Sequence, residues 1–321
     1  MNIDKPYILL RDPWGMVTDD DSGFGNRLVC WMGAQILRAN LKNNYSIKVL
    51  EKEYPETNFL HFPNTEVYKT LHGSDYPSKK ISIEDINLFT ESKKLDIPNN
   101  KNYILDVPYT SFLQITDALE DSYISKFVSK IELFNQTLEH KIKEFSENKI
   151  GIHIRRGNGV NIVQLDLDSI PDGYKDFYKI CPECDPVYRF VNDDNFYHII
   201  DTFLQIYDNK EFYLSIDVDD NAVNYYKTRF KNKIFTRSDF IKNNTDTIRN
   251  SMLFEEVLGL KKIGINLIDF FILANTEFIV RDMTSSWSYL ASLIGQVPSC
   301  KLNYNPNDIL KIYELRNSRK V

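Results

Sequence analysis

The stretch IGIHIRRGNG, residues 150–159, alternates like a β-strand and then ends in two arginines and a glycine-rich turn. Successive side chains on a strand point to opposite faces. Ile150, Ile152 and Ile154 therefore share one face, while Gly151, His153 and Arg155 share the other. Open parallel sheets take ligands beyond the carboxyl ends of their strands, where Arg155, Arg156, Gly157 and Asn158 stand. Guanidinium forks match phosphate oxygens, and glycines let backbone amides approach an anion. A solvated strand end beside a satisfied core histidine is the reading of the same residues without a ligand.

Strands and helices alternate downstream of this stretch. Helical NFYHIIDTFLQIYD (195–208) is followed by the strand EFYLSID (211–217), the helix NAVNYYKTRF (221–230) and the strand KIFTR (233–237). The helices SMLFEEVLGLKK (251–262) and INLIDFFILANT (265–276), the strand EFIVR (277–281) and the helix SSWSYLASLIG (285–295) come next, and PNDILKIYELRN (306–317) closes the chain as a helix. Such alternation predicts a parallel sheet with helices on both faces. Upstream, YILLR (7–11), a long polar loop, a helix after Gly25 and Asn26 carrying Leu28, Met32, Ile36 and Ala39 at helical spacing, and YSIKVLE (45–51) make a second β-loop-α-β unit. Between them, NYILDV (102–107) reads as a strand and a charged segment from about 120 to 145 as one helix. No short repeat recurs, which excludes a solenoid.

A chain of 321 residues exceeds the usual size of a single core, so two domains sharing a cleft are expected, divided as 1–147 and 148–321. The composition, 42% hydrophobic and 26% charged, is that of a globular protein and excludes a disordered one. A net charge of −6 argues against a nucleic-acid partner, which calls for a basic face. No apolar run reaches the roughly 20 residues of a membrane helix, and MNIDKPYILLRD lacks the pattern of a secretory signal, so a cytoplasmic location is expected. Cys181 and Cys184 form a lone C-P-E-C, for which a surface loop is a better reading than zinc, because a closed zinc site needs four ligands.

Other stretches bear chemistry. Thr284, Ser285 and Ser286 follow a strand and open a helix, where hydroxyls and unpaired N–H groups cap the helix or bind an anion. Asp269 sits among apolar residues, so it either emerges at a helix face or meets a specific partner; guanine, with N1–H and N2–H₂ side by side, is one. Asp217 ends a strand and either caps the next helix or reaches a ribose or acceptor. GFGNRL (23–28), with Glu51 ending the next strand, resembles a dinucleotide fingerprint. The third glycine is replaced by Leu28 and eleven residues separate strand from Gly23, so a flexible loop over a cleft fits better than a dehydrogenase turn.

Taken in order, the glycine loop, H-x-R-R-G-N, the strand-ending Asp, the Asp-bearing helix and T-S-S resemble the GDP-fucose-dependent fucosyltransferases, in particular the α1,6-fucosyltransferases and their bacterial nodulation type. GIHIRRGNG is similar to their H-V-R-x-G-N-G segment, SGFGNRLVCWMGAQILRA to their glycine loop and first helix, and LIDFFILANTEFIVRDMTSSWS to their nucleotide-binding end segment. The resemblance implies a GT-B-like α/β fold: two Rossmann-like domains with parallel sheets facing a cleft, an acceptor side first and a nucleotide-sugar side second. A terminal helix would pack back on the first domain.

It further implies an inverting transfer of fucose from GDP-fucose to a glycan hydroxyl without a metal or other cofactor. Carried over residue by residue, Arg155 binds the β-phosphate, His153 the nucleotide and Asp269 guanine, while Thr284, Ser285 and Ser286 hold phosphate. Gly25, Asn26, Arg156, Gly157, Asn158 and Asp217 line the donor. Where the nodulation type carries an acid after G-N-G, this chain has Val160-Asn161, and the base falls to Asp166 or Asp168. An α1,2-fucosyltransferase would carry an acid at Asn158. Another GT-B transferase, such as a heptosyltransferase, and a silent sugar-nucleotide or glycan binder are the remaining readings.

Overall fold

The computed structural model describes residues 5–11, 24–41, 45–73, 76–98, 101–106, 121–128, 130–154, 193–216, 220–250, 260–281, 286–301 and 305–318. The chain divides into two compact units, Met1–Leu138 with Arg249–Asn266, and Glu139–Ile248 with Leu267–Val321.

The first unit contains β1 (Tyr7–Leu10), α1 (Phe24–Asn40), β2 (Ser46–Leu50), β3 (Leu60–His61), β4 (Thr65–Tyr68), β5 (Lys79–Ile81), α2 (Ile83–Ser92), β6 (Tyr103–Leu105), α3 (Asp121–Val128) and β7 (Glu132–Leu133). Its main sheet runs β4-β2-β1-β6-β5, with each neighbouring pair parallel. The central strand β1 is wholly buried, as a parallel strand covered on both faces must be. Helix α1 is buried nearly all round from Leu28 to Leu37, and Ala39, expected on its apolar stripe, is exposed.

Two expectations for this unit change. Gly25 and Asn26, expected in a loop ahead of the helix, lie in the first turn of α1, and Gly25 is buried. The single charged helix expected over 120–145 is two, α3 and α4 (Gln136–Ser146), separated by β7, whose Leu133 pairs antiparallel with Leu60 of β3. Asn135 restarts the helix: its Oδ1 accepts from the Leu138 amide at 2.9 Å, satisfying one of the orphan donors of a helix start.

The second unit contains α4 from Glu139 onward, β8 (Lys149–Ile154), α5 (Asp193–Ile206), β9 (Glu211–Ile216), α6 (Asp220–Phe230), β10 (Ile234–Thr236), α7 (Arg237–Asn243), α8 (Thr245–Asn250, as far as Ile248 in this unit), α9 (Leu260–Ala274, from Leu267 onward in this unit), β11 (Phe278–Arg281), α10 (Ser286–Gly295), β12 (Ser299–Lys301) and α11 (Pro306–Asn317). Its sheet runs β10-β9-β8-β11-β12, again with every neighbouring pair parallel. Numbered by chain order the strands read 3-2-1-4-5, so the direction of winding reverses between β8 and β11. That junction is the topological switch point.

The expected alternation of β8 is observed. Ile150, Ile152 and Ile154 join one apolar cluster with Phe212 and Leu214 of β9, Phe196, Ile200 and Phe203 of α5, and Ile309, Leu310 and Tyr313 of α11. The closing helix brings Tyr313 into this cluster, where it meets the rings of Phe203 and Phe278 edge-on. On the opposite face Gly151 lies under α9. A Cβ there would stand 2.6 Å from Leu273 Cδ1 and 2.8 Å from Thr276 Oγ1, so glycine permits the close approach that brings Asp269 to the sheet.

Candidate functional site

At the switch point, β8 and β11 lie side by side in register, Ile152 against Val280. Ile154 is the last residue of β8 and Arg281 the last of β11. In sequence, Arg155 follows the first, and Thr284, Ser285 and Ser286 follow the second within five residues. Both phosphate-binding candidates are therefore connected to the carboxyl ends of adjacent parallel strands. Ser286 is the first residue of α10. Arg155, Arg156, Gly157, Asn158, Asp166, Asp168, Asp217, Thr284 and Ser285 themselves lie outside the described residues, as do Cys181 and Cys184.

The row of side chains on the α9 face of the sheet is described. His153 of β8 is 4% exposed and stands in register with Ser215 of β9; Gly151 stands opposite Tyr213 in the same way. Asp269 projects onto this row from α9 and is 8% exposed. The Tyr213 hydroxyl donates to its Oδ1, and the Ser215 hydroxyl donates to its Oδ2 at 2.7 Å. The specific partner that a carboxylate on an apolar helix requires is thus found inside the unit, as a pair of hydroxyls from one strand.

Burial first, and the Asp269 charge second, hold the Tyr213 phenol well above its ordinary pKa, with Arg237 acting in the opposite sense. Tyr213 consequently remains protonated and serves as the donor.

Tyr213 and Ser215 add to the residues expected from sequence. Their signal was present: FYLSID is an apolar strand with a tyrosine hydroxyl and a serine hydroxyl at i and i+2, hence on one face. Arg281, whose guanidinium ends β11 and stands 5.0 Å from the Tyr289 ring centroid, adds to those residues as well, as does Ser288, which is fully buried in the first turn of α10. Trp287 of the same turn packs edge-on against Phe270 of α9, with ring centroids 5.0 Å apart, so α10 and α9 are locked together beside the switch point.

In the first unit, Asn26 is half-buried in the opening turn of α1, beside Arg27, which is 4% exposed. Arg27 donates through Nε at 2.8 Å, and through Nη2, to Oε1 of the fully buried Glu56. Arg11, following β1, binds buried Glu53 through Nε at 2.9 Å and Nη2 at 2.7 Å. These pairs were not singled out from sequence.

Among the described residues, no three His, Cys, Asp or Glu side chains gather as a metal site, and no helix is long and apolar enough to cross a membrane.

Comparison with solved structures places this architecture. Fucosyltransferase NodZ from Bradyrhizobium superposes over 93% of this chain and 96% of its own, with a TM-score of 0.51 at 12% sequence identity. NodZ α-1,6-fucosyltransferase soaked with GDP-fucose superposes over 90% and 92%, with a TM-score of 0.52 at 12% identity. The fold is GT-B. No family model matches the chain, and no curated protein matches it in sequence. The α/β architecture expected from the resemblance is the one observed, with a parallel, Rossmann-like sheet in each unit. Because a GT-B scaffold hosts many chemistries, the activity has to be argued from the site.

Proposed function

We propose that this chain is an inverting, metal-independent glycosyltransferase that moves fucose from GDP-fucose to a hydroxyl of a glycan acceptor. The observation that carries the reading is the adjacency of β8 and β11 at the switch point, because the candidate cation Arg155 and the hydroxyls of 284–286 are tethered to neighbouring strand ends. A diphosphate needs both, on one side of one sheet. The GT-B fold shared with NodZ structures, one soaked with GDP-fucose and one co-crystallized with GDP, supports the same reading.

In the proposed reaction, the acceptor oxygen bonds to the anomeric carbon of fucose as the bond from that carbon to the β-phosphate oxygen breaks. Charge then builds on the departing GDP. Arg155 and the helix start at Ser285 and Ser286 stabilise that charge, since prealigned donors act most where charge develops. Asp269 accepts the guanine N1–H and N2–H₂, His153 contacts the nucleotide, and Gly25, Asn26, Arg156, Gly157, Asn158, Thr284 and Asp217 complete the donor's surroundings. The hydroxyl proton passes to Asp166 or Asp168. Alanine at one of these two abolishes turnover; full activity in both variants removes them as the base.

A panel of nucleotide sugars scored by thermal unfolding tests the donor. A ligand bound only by the native state raises the midpoint, and GDP-fucose raises it most. A larger shift with a UDP- or ADP-linked sugar overturns the assignment. Arg155→Lys is expected to fold normally and to lose turnover on the order of 10²- to 10³-fold, because an ammonium cannot reproduce the guanidinium fork. Unchanged turnover excludes Arg155 from the leaving-group role. A chelator leaves the reaction rate unchanged.

A further inference from the structure

Asp269 carries a larger constraint than guanine pairing alone would require. Aspartate's terminal torsion is broad and two-fold, so a lone carboxylate samples many orientations. Here its two oxygens are tied separately to one strand, Oδ1 by the Tyr213 hydroxyl and Oδ2 by the Ser215 hydroxyl at 2.7 Å. The two donors are themselves fixed. Tyr213 is fully buried, with Phe145 edge-on at 6.2 Å between centroids, and Ser215 is 1% exposed on the wholly paired strand β9.

Gly151 supplies the clearance that sets α9 on this face. Both donors are neutral hydroxyls, so they fix the direction of the carboxylate and add no charge of their own.

We infer that Tyr213 and Ser215 are positioning residues that set nucleotide-base specificity, by holding the Asp269 carboxylate in the one orientation that accepts two parallel donors from guanine. This rests on the proposed reading of Asp269 as the guanine contact. The chemistry distinguishes bases sharply. Guanine offers N1–H and N2–H₂ together, hypoxanthine offers N1–H alone, and adenine offers an acceptor at N1. A carboxylate free to turn can satisfy one donor as well as a fixed one can, whereas two donors require its plane to be set beforehand. Preorganisation of this kind lowers the ordering cost of binding. The hydroxyls should accordingly affect GDP more than its hypoxanthine counterpart, IDP.

The test is the affinity of full-length protein for GDP, IDP and ADP, measured by calorimetry in wild type, Tyr213→Phe, Ser215→Ala and Ser215→Thr. In wild type, GDP binds more tightly than IDP and IDP more tightly than ADP. Loss of either hydroxyl lowers the GDP-to-IDP affinity ratio by roughly 3- to 10-fold, the range expected for one hydrogen bond, while Ser215→Thr retains the wild-type ratio.

A general packing defect would weaken all three nucleotides together and leave the ratio unchanged, and that result overturns the inference. If Tyr213→Phe fails to fold, Ser215→Ala and Ser215→Thr carry the same comparison. Wild type that binds GDP no better than ADP refutes the guanine reading of Asp269 itself, and with it the inference. Wild type that prefers GDP, beside variants that keep the preference in full, refutes only the positioning role.

Discussion

Each unit is built on a five-stranded parallel sheet, yet the two handle buried carboxylates differently. In the first, Glu53 and Glu56 are clasped by Arg11 and Arg27, charge against charge, so that each buried anion is compensated by a cation, half-buried at Arg11 and buried at Arg27. In the second, Asp269 is held by two neutral hydroxyls. The contrast separates two uses of one functional group. A carboxylate matched to an arginine is compensated in place, whereas hydrogen bonds from neutral hydroxyls fix a carboxylate's direction without adding a charge of their own.

Breaking the first arrangement should have the largest effect on stability. Arg27→Met leaves Glu56 buried without its cation, and urea unfolding should register a loss of about 3–5 kcal/mol. Arg27→Met combined with Glu56→Leu should recover most of it, since an apolar pair of similar volume is often as stable as a buried ion pair. A single variant within about 0.5 kcal/mol of wild type, the usual range for a neutral surface change, would mean that the pair is not structural.

Asp269→Asn probes the other unit. The amide oxygen can still accept a hydroxyl, so the loss of stability should be smaller than for Arg27→Met. GDP binding should weaken by roughly 1 to 3 kcal/mol, the cost of a lost charged hydrogen bond. Equal GDP affinity by calorimetry would place Asp269 with Glu56, as a purely structural carboxylate.

The smallest effect is expected at the half-exposed pair of Lys227 and Asp239. Burial acts to raise the Asp239 pKa, but hydrogen bonds from Lys227 Nζ and from Thr236 outweigh it and hold the carboxyl below its ordinary value. A depressed pKa contributes stability above the unfolded value of 3.8 and loses it as pH falls through the folded one. Lys227→Met should cost less than about 1 kcal/mol at neutral pH, as solvent-screened pairs do. The gap from wild type in unfolding midpoint should close on acidification below pH 3.8; a gap that widens there would reverse the sign of the linkage.

Legibility in the sequence followed local signal strength. From 193 to 317 the helices α5, α6, α9, α10 and α11 were readable because each is long enough to display its period, and most of the expected elements between those positions are observed. Residues 52–145 were not. Apart from β6, which NYILDV marks, the strands β3, β5 and β7 there are two or three residues long, too short for alternation to register. One local cue does stand there: Ser82 and Asp85 form a capping box, with Ser82 Oγ accepting from the Asp85 amide at 3.2 Å and Asp85 Oδ2 accepting from the Ser82 amide at 2.8 Å, and they announce α2. At the candidate site, Asp269 was legible as an anomaly on an apolar helix. Its partners were not, because Tyr213 and Ser215 lie more than fifty residues away along the chain.

By itself the sequence determined the α/β class, the alternation of β8 that sends isoleucines to one face and His153 to the other, and the need of Asp269 for a partner. Each of these follows from periodicity or desolvation acting over a few neighbouring residues. Tertiary structure alone decided that β8 and β11 are neighbours, and that Asp269 meets hydroxyls while Glu56 meets an arginine. Those choices depend on which strands pair and how closely a helix can approach a sheet, and such contacts between distant segments leave no local periodicity to read.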